Sequence, residues 1–233
     1  MNDLRLNLGC GTGRMEGFVN CDYLPTAYTD AVFDACGPWP FKDDSVEHIY
    51  ASHMLEHLPD PQAFFREAWR VLRPSMSTML LRVPHGGHRA AWWDLGHLRP
   101  WFPESFCFLQ PGYAQAVRNP QHDAWTTPFD VQVIQLRLAP DWAWRLRSRW
   151  RRKLLWTAME MANDWCEELF IHVAPLKSPE AVAAWHAVPG HQGNLVPIMY
   201  TAWRHHMQRR PLPAGQPAEM VSLIETNALG AFF

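Results

Sequence analysis

The feature that most constrains this chain is a short apolar run that breaks at once into glycines. Leu4-Arg5-Leu6-Asn7-Leu8 leads directly into Gly9-Cys10-Gly11-Thr12-Gly13-Arg14. Apolar residues at every second position, with Arg5 and Asn7 between them, predict a buried strand. Glycines at alternate positions allow positive φ and let a ligand approach the backbone with no Cβ in the way. A strand ending in such a loop is how doubly wound α/β proteins build a nucleotide site at the carboxyl edge of the sheet. Alone, the pattern suits a plain tight turn as well as a ligand cradle, so the following segments decide.

The next strand-like run, Gly17-Phe18-Val19-Asn20-Cys21-Asp22, closes on an acid. A carboxylate there is placed to accept two hydrogen bonds from a ribose hydroxyl pair. Only eight residues lie between Gly13 and Asp22. A crossover normally takes at least about ten to twelve residues, so the first helix is predicted to shrink to a turn. Further strands are predicted at Ala31–Ala35, Val46–Ala51, Thr78–Val83, Val131–Leu138 and Leu169–Ala174. Asp60-Pro61 starts a helix as cap and first residue, and Phe64, Phe65, Ala68, Val71 and Leu72 recur at helical spacing until Arg73-Pro74 ends it.

These segments resemble, in order, the class I S-adenosylmethionine-dependent methyltransferases. The matching pieces are Leu6–Arg14, Phe18–Asp22, Phe33–Ala35, Pro40–Ser45, Ser52–Leu58 and Arg70–Pro74, within roughly residues 4 to 110. The similarity is greatest to a compact branch in which the glycine loop runs quickly into "GFVN-D". It implies a doubly wound, mostly parallel seven-stranded sheet. It also implies that the loop of Gly9, Cys10, Gly11, Thr12 and Gly13 cradles the methionine part of S-adenosylmethionine. Asp22, with Tyr23 beside it, would hold the ribose, Asp34 and Ala35 would meet the adenine, and Ser52 and His53 would flank the cofactor. Two departures stand out: Arg73-Pro74-Ser75-Met76-Ser77 replaces the usual Pro-Gly-Gly turn, and the first helix is missing. The second leaves one flank of the cofactor for another segment to cover, for which an aromatic from later in the chain is one candidate.

The richest chemistry follows the fifth strand, from His85 to Phe106. Relatives in the compact branch show a similar D-x-x-H-x-R-x-[FW] stretch, here Asp94, His97, Arg99 and Trp101-Phe102. A histidine suits proton transfer near neutral pH, an aspartate can orient it and an arginine can bind an anion. His97, Asp94 and His85 are therefore the catalytic candidates, and Arg99, Trp93 and Trp101 the candidates for binding an acceptor. A purely structural network pinning the loop explains the same residues equally well. His88 and the Trp92-Trp93 pair suit a lid or wall. No metal is expected: the His53/His57 and His205/His206 pairs lack a carboxylate or cysteine at good ligand spacing. His53-x-x-x-His57 with Glu56 has the look of a metal-binding helix, yet it falls in the segment matched to the cofactor edge.

Composition bounds the rest. A net charge of −2 and 48% hydrophobic residues exclude a disordered chain and a generally basic nucleic-acid binder. Five scattered cysteines without a CxxC pair argue against a disulfide framework or zinc ribbon and for reduced thiols, so a cytoplasmic location is expected. No signal segment or membrane span is read in the sequence. Residues 1–176 are expected to form the cofactor domain, with a helical insertion at about 141–168, and residues 177–233 an extension. That extension is expected to carry a short helix around Pro179–His186 and an amphipathic stretch Ile198–Met207, and it is a candidate for homo-oligomer contact.

The leading expectation is methyl transfer from S-adenosylmethionine to an oxygen or nitrogen of a polar small molecule, sugar or nucleotide. One alternative is a nucleic-acid-associated protein using Arg145–Lys153, whose basic residues sit among Trp142, Trp144, Trp150 and Trp156. Another is a cofactor-binding partner subunit without turnover.

Overall fold

A computed structural model describes residues 3–113, 127–138, 164, 166–188, 198–203 and 220–226, the last two stretches as backbone strands. The insertion expected at 141–168, its Arg145–Lys153 segment and His205/His206 lie almost wholly or wholly outside the described residues.

The described strands form one sheet. They are β1 (Leu4–Leu8), β2 (Val19–Asp22), β3 (Ala31–Val32), β4 (Val46–Ser52), β5 (Thr78–Pro84), β6 (Phe129–Leu138), β7 (Cys166–Pro175), β8 (Ile198–Trp203) and β9 (Met220–Thr226). Their spatial order is β3-β2-β1-β4-β5-β7-β6-β8-β9. The first seven make the mostly parallel sheet that the sequence predicts. β1 pairs in parallel with β2 and β4, β2 with β3, and β4 with β5. Strand β7, which contains the predicted Leu169–Ala174, runs antiparallel to both neighbours and lies between β5 and β6. The amphipathic stretch from Ile198 begins as a strand. β8 pairs in parallel with β6 and β9 antiparallel with β8, so residues beyond 177 extend the same sheet.

The chain turns outward from β1 to β2 and β3, then returns to lay β4 on the other side of β1. That reversal opens a crevice at the carboxyl end of β1, where the glycine loop sits. As predicted, no helix joins β1 to β2. Helix α1 (Pro61–Val71) makes the β4–β5 crossover. Asp60 caps it by accepting a hydrogen bond from Ala63 N at 3.0 Å, and Phe64, Phe65, Ala68 and Val71 are its buried stripe. Phe64 and Phe65 pack edge to face, and Phe65 reaches Phe129 of β6. Helices α2 (Pro103–Cys107) and α3 (Pro179–Ala187) complete the described helices. Inward residues of the central strands, among them Leu6, Leu8, Ile49, Ala51, Met79, Leu81, Ile171 and Val173, join this layer in one core. No described helix is long and apolar enough to cross a membrane.

Candidate active site

The loop after β1 is held by hydrogen bonds that substitute for the absent helix. Asn7, buried in the middle of β1, donates to Gly13 O and to Asn20 Oδ1, both at 2.9 Å. Asn20, fully buried in β2, also accepts from Met15 N and donates to Met15 O, Phe18 O and Asp30 Oδ2. Arg14 pairs with Asp30 at 2.8 Å and donates to Tyr28 O. Backbone and side-chain donors from Asn20, with Arg14, hold the Asp30 carboxyl down at a pKa of about 2. Residues 24–30, immediately after β2, thus brace the flank that a helix would cover. Among the described residues the brace comes from just along the chain.

The cradle itself fits a ligand. Gly9 (φ +65°) and Gly11 (φ +51°) lie in the left-handed region that favours glycine. A Cβ at Gly9 would stand 2.7–2.9 Å from Met54 side-chain atoms, whereas one at Gly11 would meet nothing within 4 Å. The face of Gly11 is therefore open. Asp22 accepts from Gly11 N through Oδ2 (2.8 Å) and from Leu24 N through Oδ1 (3.1 Å). Each oxygen keeps a further lone pair for a hydroxyl. Asp34 is exposed and folds its own turn by accepting from Cys36 N at 2.8 Å, and Ala35 O receives the Trp39 indole N–H. Cys10 is buried, Thr12 and Tyr23 are exposed, and Ser52 ends β4 opposite Arg82.

His53, directly after β4, has φ +51°, an uncommon setting for a side-chain-bearing residue and a mark of a constrained site. Its Nε2 is 3.1 Å from Glu168 Oε1 and its Nδ1 3.3 Å from Glu56 Oε1. Hydrogen bonds to Glu168 and then Glu56 raise its pKa to about 9, so it carries a proton at neutral pH. Glu168 also receives Arg82 through two hydrogen bonds and Arg137 through one. Hydrogen bonds from His53 and Arg82 outweigh the burial and hold this carboxyl ionised, well below the usual range. The strand register brings this cluster to the carboxyl edge of β4, β5 and β6. Sequence reading missed Glu168, Arg82 and Arg137, as well as Asn7, Asn20 and Asp30. A buried polar residue inside an apolar strand was the available signal for Asn7, Asn20 and Glu168.

The loop after β5 departs from expectation. Trp101, expected to bind an acceptor, is 6% exposed and stacks on Phe106 at 5.2 Å, because the start of α2 folds it into the core. Asp94 does not orient His97 by a hydrogen bond: the Oδ2–Nε2 distance is 3.8 Å, and Asp94 Oδ1 instead accepts from Gly96 N. Arg99 donates to Pro59 O at 3.0 Å. Trp93 is exposed, as is Trp92, whose indole N–H is anchored to Gly86 O. His88 caps a short 3₁₀ turn at Arg89–Ala91.

His85 is 5% exposed and accepts from Gly87 N through Nδ1 at 3.0 Å. Desolvation, with His88 nearby, lowers its pKa to about 4, a poor value for a base at neutral pH. The linkage has a definite sign. Between pH 6.5 and 4 the unfolded chain takes up a proton that the native state refuses, so stability falls on acidification. From pH 7 to pH 5 this amounts to about 2 kcal/mol. Urea unfolding of wild type and His85→Asn at the two pH values should show that loss in the first and not in the second. An equal loss in both would remove His85 as its source.

With this geometry in place, the chain can be set beside known proteins. Residues 17–77 match the family described as "Methyltransferase domain". The chain's fold is similar to that of a solved SAM-dependent methyltransferase from Archaeoglobus fulgidus, at 14% identity and TM-score 0.50 over 73% of this chain and 85% of that one. A methyltransferase structure from Mesorhizobium loti is also similar, with 13% identity and TM-score 0.45 over 73% and 89% of the two chains. No curated protein sequence matches the chain.

Proposed function

We propose that this chain is an S-adenosylmethionine-dependent methyltransferase acting on an oxygen or nitrogen of a polar small molecule, sugar or nucleotide. The observation that carries this reading is the pairing of two kinds of surface at the carboxyl edge of the sheet. A protonated, half-exposed His53 is backed by Glu168, Arg82 and Arg137, and the exposed rings of Trp92 and Trp93 follow β5. Charged donors grip hydroxyl or anionic groups, and indole faces stack on sugar rings and bases.

When bound, the cofactor supplies a methyl group on an already activated sulfonium. The protein's task is then mainly placement. Gly9, Cys10, Gly11, Thr12 and Gly13 would hold its methionine portion, Asp22 its ribose and the turn at Asp34-Ala35 its adenine. His53, positively charged, would orient an acceptor's electron-rich groups, and Trp93 would fix the plane of its ring.

The test is a panel of sugars, nucleotides, small amines and apolar phenols incubated with the full chain and methyl-labelled S-adenosylmethionine. Label is expected on a polar, ring-bearing acceptor. Trp93→Ala should raise the KM for that acceptor about tenfold, in line with the roughly 1–3 kcal/mol of one aromatic stack, and leave cofactor affinity unchanged. Label confined to the apolar phenols would overturn the proposal.

A further inference from the structure

We infer that Glu56, His57 and His97 form a binding site for one divalent transition-metal ion, with zinc the best match. One ligand atom from each lies within 4.8 Å of the other two. The sequence reading set metal aside because the His53/His57 pair lacked a carboxylate or cysteine at good ligand spacing and, with Glu56, fell in the segment matched to the cofactor edge. The fold supplies a third partner from forty residues further on, as the 94–99 loop folds onto the 3₁₀ turn at Leu55–His57. Leu98 N donates to Glu56 O at 2.8 Å, and His57 Nδ1 lies 3.0 Å from Gly96 O. A Cβ on Gly96 would stand 3.1 Å from His57 Nδ1, so glycine permits this close approach.

A second observation points to a ligand. Glu56 is 1% exposed, yet its Oε1 has only the His53 ring close by and its Oε2 has no hydrogen-bond partner. Leaving a buried carboxylate so poorly satisfied is costly unless something compensates it. The ionic neighbour of Glu56 is His53, at 3.3 Å from Oε1, and His53 is shared with Glu168. His97 Nε2 stands 4.0 Å from Glu56 Oε1 and 3.8 Å from Asp94 Oδ2. These separations are too long for hydrogen bonds. They are close to the roughly 3.4 Å between ligand atoms arranged tetrahedrally about 2.1 Å from one zinc ion.

The donor set also has the right chemistry. Two imidazoles and a carboxylate suit a borderline ion such as zinc and leave a fourth position for water or for Asp94. With His57 Nδ1 hydrogen-bonded to a carbonyl, its Nε2 lone pair is the one presented to a metal, the usual arrangement for a ligating histidine. The His57 ring is exposed and packs edge to face on His97 at 4.7 Å, so it can close the remaining distance. Bound zinc would staple the loop that carries Trp92 and Trp93 to the end of β4.

The test does not require methyl transfer. The full chain, stripped with chelator, is titrated calorimetrically with zinc chloride, dialysed and assayed for retained metal. One equivalent per chain is expected, and cobalt should give the visible absorption of a four-coordinate site. His57→Ala, an exposed substitution, and Glu56→Gln should each weaken zinc binding at least tenfold while circular dichroism stays native. Failure of wild type to bind would overturn the inference, as would equal retention by both variants.

Discussion

Replacing Asn20 with alanine is expected to cost about 3–4 kcal/mol of stability. The reason is the number of polar groups that depend on this fully buried side chain. Its carboxamide oxygen accepts from Asn7 Nδ2 and Met15 N, and its nitrogen serves Met15 O, Phe18 O and Asp30 Oδ2. Alanine removes the partner of the buried Asn7 amide and of four part-buried bonds, and an unsatisfied buried group costs about 1–3 kcal/mol. In related folds a helix would occupy this stretch. Here ten residues of loop depend on one side chain. Urea denaturation would read the change directly, and a loss below about 1 kcal/mol would show that the loop does not rest on this network. Asn20→Asp should not rescue it, because a second carboxylate would be buried against Asp30.

Asp22→Ala should weaken binding of S-adenosylhomocysteine about 100-fold or more. Two contributions add. The carboxylate ties Gly11 N and Leu24 N together across the mouth of the cradle, so its removal frees the backbone that must be in place before a ligand arrives. It is also the group proposed to accept the ribose hydroxyls, and hydrogen bonds to a charged group are each worth about 1.5–3 kcal/mol. Asp22→Asn keeps an acceptor for one backbone N–H and should fall between wild type and alanine. Calorimetric titration of the three proteins, each first shown to be folded, is the measurement. Affinity within threefold of wild type in the alanine variant would mean that the acid after β2 braces the loop and does not touch the cofactor.

The metal inference and the cofactor assignment meet at the turn after β4. Met54 packs against Gly9 of the cradle, while Glu56 and His57, two and three residues later, belong to the proposed metal cluster. An ion there would fix the turn on which the cradle's own packing depends. Zinc would then raise thermal stability in the absence of any cofactor.

What the sequence determined by itself was the local frame. The strand–glycine junction at Leu8-Gly9, the acid ending β2, the missing first helix and the cap and stripe of α1 depend on spacings of two to four residues. Backbone sterics and apolar periodicity fix these before any distant contact forms. The place of His53 directly after the fourth strand was legible too, and the resemblance implied a cofactor-edge role for it. Its charge was not legible. That depends on Glu168, 115 residues away, and on Arg82 and Arg137 sharing the same carboxylate.

Trp101 shows the opposite failure. A tryptophan beside an arginine and a histidine reads as a binding surface, but the turn into α2 sends it into the core against Phe106. Strand β7 was predicted from its apolar residues, whereas its place between β5 and β6 is a matter of long-range pairing that no local pattern encodes. The same holds for His97 coming to rest beside Glu56 and His57. Tertiary structure decided these points because each depends on which distant segments share a buried surface. Burial then sets whether a given histidine is neutral, charged or free to hold a metal.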